Sequence, residues 1–504
     1  MPETGTQVDV QPDPQRWKAL IFIAIAQLMV VLDATVVNIA LPHAQASLHI
    51  SDANRQWVIT GYSLAFGGLL LFGGRISDLW GRKRAFITGL IGFAAASALG
   101  GAAVNEGMLL GARALQGAFG ALLAPAALSL LAVTFTEAKE RAQAFGIFGA
   151  IAGAGGAVGL ILGGVLTQYV NWRWALFVNI FFAIVAAIGA ILFVHERPDG
   201  RNRNRLDIPG VLLASSGLVA LVYAFTKAST PGDGWGATIT ISMFIAAAVL
   251  LGAFVLVESM VKAPLLPLRV VTNRNRGGVY LSLGLAVIGM FGLFLFLTYY
   301  LQLVKHYSPV MTGVAFLPMI GGMITGSTQI GARLMNRVPA RWLMGPGFLV
   351  GAAGMLILTR LSVNSSYAGT LLPGFLLLGL GMGTAFMPAM SLSSYKVQAR
   401  DAGIASAMIN TSQQIGGSIG TALLSTIAVN ATASFMKAHH GNPALAAQGQ
   451  VHGYAMAIWF SVGILVVASA IAFILVNVGS QAVAPVTGGV GEEIGDVSVP
   501  VIIH

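Results

Sequence analysis

The sequence predicts an all-α polytopic membrane protein of fourteen spans with both termini on the cytoplasmic face. Three observations carry that reading. The chain is 56% hydrophobic and only 9% charged, far more apolar surface than a soluble core of 504 residues could cover. Uncharged stretches long enough to cross a bilayer, about 20 residues each, recur almost end to end. They centre near residues 30, 65, 95, 120, 154, 183, 218, 247, 290, 321, 351, 379, 416 and 465. The basic residues are also lopsided: with the N-terminus inside, 21 Lys and Arg fall on the loops of that face against 6 on the other, and Arg113 is left within a span. Such a bias marks cytoplasmic loops. It accounts for the net charge of +10 without nucleic acid, and an even number of spans returns the C-terminus to the same side.

The elements follow from where the apolar stretches break. Residues 1–16 are polar and partly acidic, so no signal peptide is expected, and the run that follows is long enough to remain as a span. A bundle of six spans is expected over 17–195. The loop after the second span reads GGRISDLWGRKR (Gly73 to Arg84), and the loop after the tenth reads GARLMNRVPAR (Gly331 to Arg341). At an offset of 258 they match Gly73 with Gly331, Arg75 with Arg333, Asp78 with Asn336 and Lys83 with Arg341. The offset exceeds what six spans need, which places two inserted spans, 196–276, between duplicated six-helix bundles. Basic stretches, His195 to Arg205 and Val261 to Arg276, mark the two boundaries. The second bundle is expected over 277–478, and the Gly-, Val- and Pro-rich tail, 479–504, is expected to be disordered. Repeats with a site near mid-membrane, where the halves meet, characterise secondary transporters.

These residues carry a resemblance. Gly74-x-x-x-Asp78-x-x-Gly81-Arg82-Lys83-Arg84 is similar to the signature loop of the major facilitator superfamily. With LDATVVNIALP (Leu32 to Pro42), NWRWALFVNI (Asn171 to Ile180) opening the sixth span, and fourteen spans rather than twelve, the chain resembles the fourteen-span drug:proton antiporters of that superfamily, up to about Val478. The resemblance implies a major facilitator fold, a monomer in a bacterial cell (inner) membrane, and multidrug efflux of lipophilic, monovalent cationic or neutral compounds by alternating access. It also implies the proton gradient as energy source, with no cofactor.

Asp33 is the acid placed deep in a span; Glu258, near the cytoplasmic end of the eighth, is its nearest rival. An aspartate at a helix centre costs about 2.5 to 3.5 kcal/mol on insertion scales, so one that persists faces a cavity or a partner. It is expected to bind a proton or a cationic substrate, the competing reading being a structural contact between packed helices. Arg113, in GARALQG, matches the arginine that the superfamily carries in its fourth helix. It needs a carboxylate, carbonyls or water, and Asp33 is the candidate partner; the alternative is that it snorkels to the outer boundary.

The loop carrying Gly74, Asp78, Gly81, Arg82 and Arg84 reads as a cytoplasmic gate. Asp78 is expected to reach the positive N-terminal end of the thirteenth span at Asp401 and Ala402, with a weaker latch in the second copy, where Asn336 and Pro339 replace Asp78 and Gly81. In Gly149 to Leu166, Gly155, Gly159, Gly163 and Gly164 recur at spacings that let helices approach closely. The stretch resembles the antiporter motif of the fifth helix, but Leu160 stands where many relatives have proline, which puts the expected bend in doubt. For the substrate cavity, Asn410, Gln413, Gln414, Gly417 and Thr421 share one helical face, and Phe291, Phe294, Thr298, Tyr299 and Gln302 form a similar stripe on the ninth span. With Tyr62 they suit amphiphilic cations, although either stripe would equally serve helix packing.

Cysteine is absent, which excludes disulfides and thiolate chemistry. No phosphate-binding G-x-x-x-x-G-K-[ST] motif occurs, and no nucleophile–base set or metal-ligand cluster appears, so an enzyme is not expected. The proton gradient supplies about 2.3 kcal/mol per 100 mV and about 1.4 kcal/mol per pH unit. The alternatives on the same fold are an exporter of an endogenous metabolite or lipid and a proton-coupled importer.

Overall fold

The structure, a computed structural model, describes residues 14–52, 54–135, 137–195, 207–228, 234–261, 264–335, 337–393, 397 and 402–478. Both tails, the basic run 196–206, Asn336 and Asp401 lie outside the described residues. Fourteen long helices follow one another. The first half holds α1 (Arg16–Leu48), α2 (Trp57–Trp80), α3 (Arg82–Gly101), α4 (Glu106–Thr134), α5 (Ala138–Tyr169) and α6 (Trp174–Phe193). Two more, α7 (Ile208–Ala228) and α8 (Thr238–Met260), precede the second half. That half holds α9 (Arg274–Val304), α10 (Pro309–Leu334), α11 (Arg341–Leu358), α12 (Tyr367–Ser393), α13 (Ala402–Ala438) and α14 (Ala446–Leu475). Thirteen are long and apolar enough to cross a membrane, and α5 adds a shorter described apolar stretch, Gly155–Tyr169. No strand occurs among the described residues.

Local signals start these helices where the sequence changes character. Asn105 caps α4 by accepting from the Met108 amide at 2.9 Å, with Glu106 in the first turn. Ser308 caps α10, and Pro309 occupies its first position. Gly81 joins α2 directly to α3 with a φ of 110°, a conformation that L side chains resist; this explains the glycine in the signature loop.

Within each half, bare backbone makes the tightest crossings. A Cβ on Gly73 of α2 would be driven into the Ala121 carbonyl of α4, and one on Gly117 of α4 into the Tyr62 carbonyl. In the second half, α10 crosses α12 the same way: Gly326 meets the Leu380 carbonyl, Gly379 the Met319 carbonyl and Gly383 the Met323 carbonyl. A Cβ on Gly331, the sequence echo of Gly73, would lie 3.3 Å from the Thr384 carbonyl of α12. The duplicated glycine therefore serves matching crossings, and small residues there allow the dispersion contact that holds helices together in lipid.

The two inserted helices lie beside the seam between halves. Helix α7 receives Gln56 of α2 on Thr226 Oγ1 at 3.3 Å and gives its Ser215 hydroxyl to the Gly68 carbonyl at 3.1 Å. From the other half, Thr426 of α13 donates to the Phe225 carbonyl at 2.6 Å. Helix α8 packs on α7 and leaves Ile245, Val249 and Leu256 exposed, as a lipid-facing helix should.

The halves also touch directly at the end that the charge bias assigns to the outside. Gln302 of α9 donates to the Ile39 carbonyl of α1 at 2.9 Å, and the Val310 amide to Gln168 Oε1 at 3.2 Å. The Tyr299 hydroxyl donates to Gln45 Oε1, and the Arg55 guanidinium lies 4.2 Å over the Tyr299 ring. Two glycines make this closure possible: Gly164 of α5 seats against Pro309 and Val310, where a Cβ would come within 2.7 Å, and Gly313 of α10 seats against the Leu160 carbonyl. Helix α5 runs from Ala138 to Tyr169 with Leu160 inside it, so the residue in the proline position lends its carbonyl to the other half. The last turn of α9, Tyr300–Val304, widens to the looser π spacing. Tyr299, Thr298 and Gln302, grouped with the cavity stripe in the sequence, are buried here; the stripe turns into the closure beyond Phe294.

A leucine at Gly313 should hold this end of the molecule open. Because the chain has no native cysteine, spin labels on Val104→Cys and Asn364→Cys, one in each half, report the distance cleanly. We expect a longer distance in Gly313→Leu than in the parent and no change in Gly321→Ala, a glycine with nothing packed against it.

Candidate functional site

A polar cluster inside the membrane-spanning bundle is built around Asp33. The residue is 0% exposed in the middle of α1 and takes hydrogen bonds from two other helices. Arg113 of α4 donates from Nη1 to Asp33 Oδ2 at 2.6 Å. Gln116, one turn on, donates from Nε2 to Oδ1 at 3.0 Å, and Asn179 of α6 donates to the same oxygen at 2.8 Å. Ser97 of α3 accepts from both amides, at 3.0 Å from Asn179 and by a short bond from Gln116. The guanidinium is itself engaged on several sides: Nε donates to the Val58 carbonyl of α2 at 2.9 Å, Nη1 also reaches Gln116 Oε1 at 2.7 Å, and the Tyr62 ring lies 4.5 Å beneath it.

The arrangement answers two problems at once. A lone carboxylate or guanidinium in hydrocarbon is costly, and pairing the two with further hydrogen bonds to their remaining lone pairs and N–H groups is the condition under which a buried ion pair is tolerated. Two buried acceptors remain open beside the pair, the Tyr62 hydroxyl and Asn179 Oδ1, neither with a hydrogen-bond partner. Five helices of the first half thus converge on one carboxylate.

The sequence singled out Asp33, Arg113 and Tyr62, and the structure brings all three together. Tyr62 was grouped with the substrate stripes, yet it is buried against Arg113 and Phe66. Gln116, Asn179 and Ser97 were not singled out. Gln116 and Asn179 lie inside the quoted stretches GARALQG and NWRWALFVNI, so an amide isolated in an apolar span was the available signal; Ser97, in a run of alanines, offered none.

The other groups lie apart from this cluster. In the signature loop, a Cβ on Gly74 would lie 3.5 Å from Pro125 of α4, and Asp78 is half-buried near Arg75 and Arg82. Arg84 is exposed, and Lys83 donates to the Ile191 carbonyl of α6 at 3.0 Å. The expected latch partner Asp401 lies outside the described residues. At the same end, Arg16 of α1 clasps Glu140 of α5 with two bonds, 2.7 and 2.8 Å. The antiporter-motif glycines bed α5 on α1: Gly155 against Leu28 and Val31, Gly159 against Thr35, and Gly163 where a Cβ would come within 2.9 Å of the Val36 backbone.

Of the proposed cavity residues, Phe291 and Phe294 of α9 and Asn410, Gln413 and Gln414 of α13 are half-buried. Phe294 stacks on Phe316 at 5.3 Å, and Phe291 packs on Gly417. Gln414 presses on Gly67 of α2, where α13 meets the first half. Gln413 Nε2 is buried with no hydrogen-bond partner.

Six long helices, two inserted ones and six more, with a buried ion pair inside the first six, define a membrane transporter of the two-bundle class. Residues 23–421 match the model of the Major Facilitator Superfamily, and the chain belongs to that superfamily. Over 473 residues it is 51% identical to the puromycin resistance protein of Streptomyces alboniger, covering 94% of this chain and 93% of that one. It is 36% identical over 429 residues to the cephamycin export protein of Amycolatopsis lactamdurans, covering 84% and 88%. It is 34% identical over 411 residues to the tetracenomycin C resistance and export protein of Streptomyces glaucescens, covering 82% and 76%. Its fold is similar to that of a bacterial homologue of the human lysosomal transporter Spinster in an inward-facing, unoccupied conformation, with a TM-score of 0.63, 18% identity and coverage of 94% and 98%. The chain is thus a multi-pass membrane transporter of bacterial type and not an enzyme.

Removing one ion of the pair should cost far more than removing both. Arg113→Met leaves Asp33 buried without its countercharge, a loss of about 3 to 5 kcal/mol, whereas Asp33→Asn with Arg113→Met restores most of it. Thermal unfolding of the purified variants in detergent measures the difference; equal destabilisation by the single and double changes would refute the coupling.

Proposed function

We propose that this transporter exports lipophilic small molecules, monovalent cationic or neutral, in exchange for protons, and that Asp33 carries the proton. The observation that bears most weight is the ion pair itself. An aspartate at this depth, held by Arg113, Gln116 and Asn179, has two self-consistent states. Ionised, it is paired with Arg113. Protonated, it needs no countercharge, and Arg113 is left to the Val58 carbonyl, the Gln116 amide oxygen and the Tyr62 ring, which it already contacts. A proton and the guanidinium therefore compete for one carboxylate, and water reaching the pair from alternate faces would load and unload the proton.

The relatives support the direction of transport, since three are named for resistance to, or export of, antibiotics. The closure between halves supports it as well. If the charge bias sets the orientation, the contacts at Gln45, Gln168 and Tyr299 shut the outer end, the state in which cargo would enter from the cytoplasm. With one carboxylate exchanging one proton, a monovalent cation leaves no net charge movement. The pH gradient alone then sustains about tenfold accumulation per pH unit. A second reading, export of an endogenous metabolite, takes its support from a relative named for export without resistance; it changes the cargo and not the mechanism.

The test is efflux of puromycin and of a panel of monovalent and divalent cationic dyes from cells, with and without an uncoupler. We expect uncoupler-sensitive efflux of the monovalent compounds, abolished in Asp33→Asn at unchanged amounts of protein in the membrane. Undiminished uncoupler-sensitive efflux by Asp33→Asn would rule out the coupling role, and retention of every compound by the parent would rule out drug export.

A further inference from the structure

A second pair of acids is buried far from Asp33 in sequence, in the inserted helices. Asp207 immediately precedes α7 and is 6% exposed; Glu258 stands in the last turn of α8 and is 3% exposed. Each carboxyl uses one oxygen on the backbone. Asp207 Oδ1 accepts from the Gly210 amide at 2.9 Å, capping α7, and Glu258 Oε2 accepts from the Leu266 amide at 2.9 Å, in the segment that leads into α9. Among the described residues, the remaining oxygens, Asp207 Oδ2 and Glu258 Oε1, are buried with no N–H or hydroxyl donor. They face each other: a Cβ on Gly210 would lie 2.5 Å from the first and 2.8 Å from the second, and the two side chains stand within hydrogen-bonding range.

Two carboxylates that share a dry site with no donor between them cannot both be anions. The charged groups nearest along the chain do not resolve this. Arg276 of α9 directs Nε to the Val270 carbonyl at 3.0 Å and Nη2 to the Arg269 carbonyl at 2.9 Å; Lys262 and residues 196–206 lie outside the described residues. We propose that Asp207 and Glu258 form a proton-binding site of their own, a carboxyl–carboxylate pair holding one hydrogen between Oδ2 and Oε1 and thereby clamping the α7–α8 hairpin to the segment that enters α9.

The chemistry is reversible and specific. With the hydrogen in place, the start of α7, the end of α8 and Leu266 are joined through one continuous set of bonds. Its loss sets two anions face to face, drives them apart and frees the Leu266 amide. Gly210 is needed because any side chain would enter the space between the oxygens. The shared hydrogen belongs to both acids, and it is separate from the proton assigned to Asp33.

Infrared spectroscopy of the purified full-length protein at neutral pH, in the Asp33→Asn background to remove that acid's contribution, tests the idea directly. A buried protonated carboxyl gives a carbonyl stretch distinct from that of carboxylates. We expect that band in the Asp33→Asn protein and its loss in both Glu258→Gln and Asp207→Asn added to it. Hydrogen exchange supplies the second readout. An amide at either position donates permanently to the other acid, so the segment 265–271 should stay as protected in Glu258→Gln as in the parent, and exchange about tenfold faster in Glu258→Ala. Absence of the acid band, its persistence in both amide variants, or exchange as fast in Glu258→Gln as in Glu258→Ala would overturn the proposal. Should Glu258→Gln fail to fold, Asp207→Asn carries the same comparison.

Discussion

A charge in hydrocarbon must be answered by a partner within reach, and the first half of this protein is organised around that requirement. Asp33 draws donors from α4 and α6, those donors share Ser97 on α3, and Arg113 borrows a carbonyl from α2. Moving any one of these helices by a fraction of a turn would strand an ion or an amide. The cluster therefore fixes the relative positions of five helices, beyond what apolar packing alone would enforce, because lipid tails satisfy an apolar surface as well as another helix does.

The rest of the packing uses the opposite device. Where rigidity is needed, glycines bring backbones into contact, as at Gly73 and Gly117 in one half and Gly326, Gly379 and Gly383 in the other. Where the halves meet at the closed end, two glycine seats are combined with three hydrogen bonds, one exposed and two buried or part-buried. Each half is thus held by many close backbone crossings, while few polar bonds join the halves at this end, and that asymmetry is what rocking of two bundles about a central site demands. The bridge through α7, which bonds to α2 on one side and α13 on the other, adds a third contact to the seam.

Much of this was legible in the sequence because hydrocarbon imposes so few solutions. Span number and position followed from length and apolarity, and the Gly73–Gly331 echo announced matching crossings. An isolated aspartate and an isolated arginine in apolar runs had to find each other. What was not legible were groups whose meaning depends on rotation about a helix axis. Tyr299 and Phe294 lie on one stripe, yet one seals the halves and the other stays half-buried against Phe316. Tyr62 reads as an aromatic suited to cargo but faces Arg113. Gln116 and Asn179 were visible as letters, but amides serve helix packing and charge solvation equally well, and only their distances to Asp33 decide.

Glu258 shows the same limit from another side. The sequence placed it near the cytoplasmic end of the eighth span, as the nearest rival to Asp33. The structure buries it to 3% exposure beside Asp207. The protein thus meets the same physical demand by two routes: Asp33 is compensated by a fixed cation, Glu258 by a second acid and the hydrogen they share. The routes differ in what releases them. An ion pair yields to a proton arriving, since protonation ends the need for Arg113; a carboxyl pair yields to a proton leaving, since ionisation creates the repulsion. On the roles proposed for them, a proton would release Arg113 at the first site and bind α7 to α8 at the second, so the two sites would answer to protons in opposite senses.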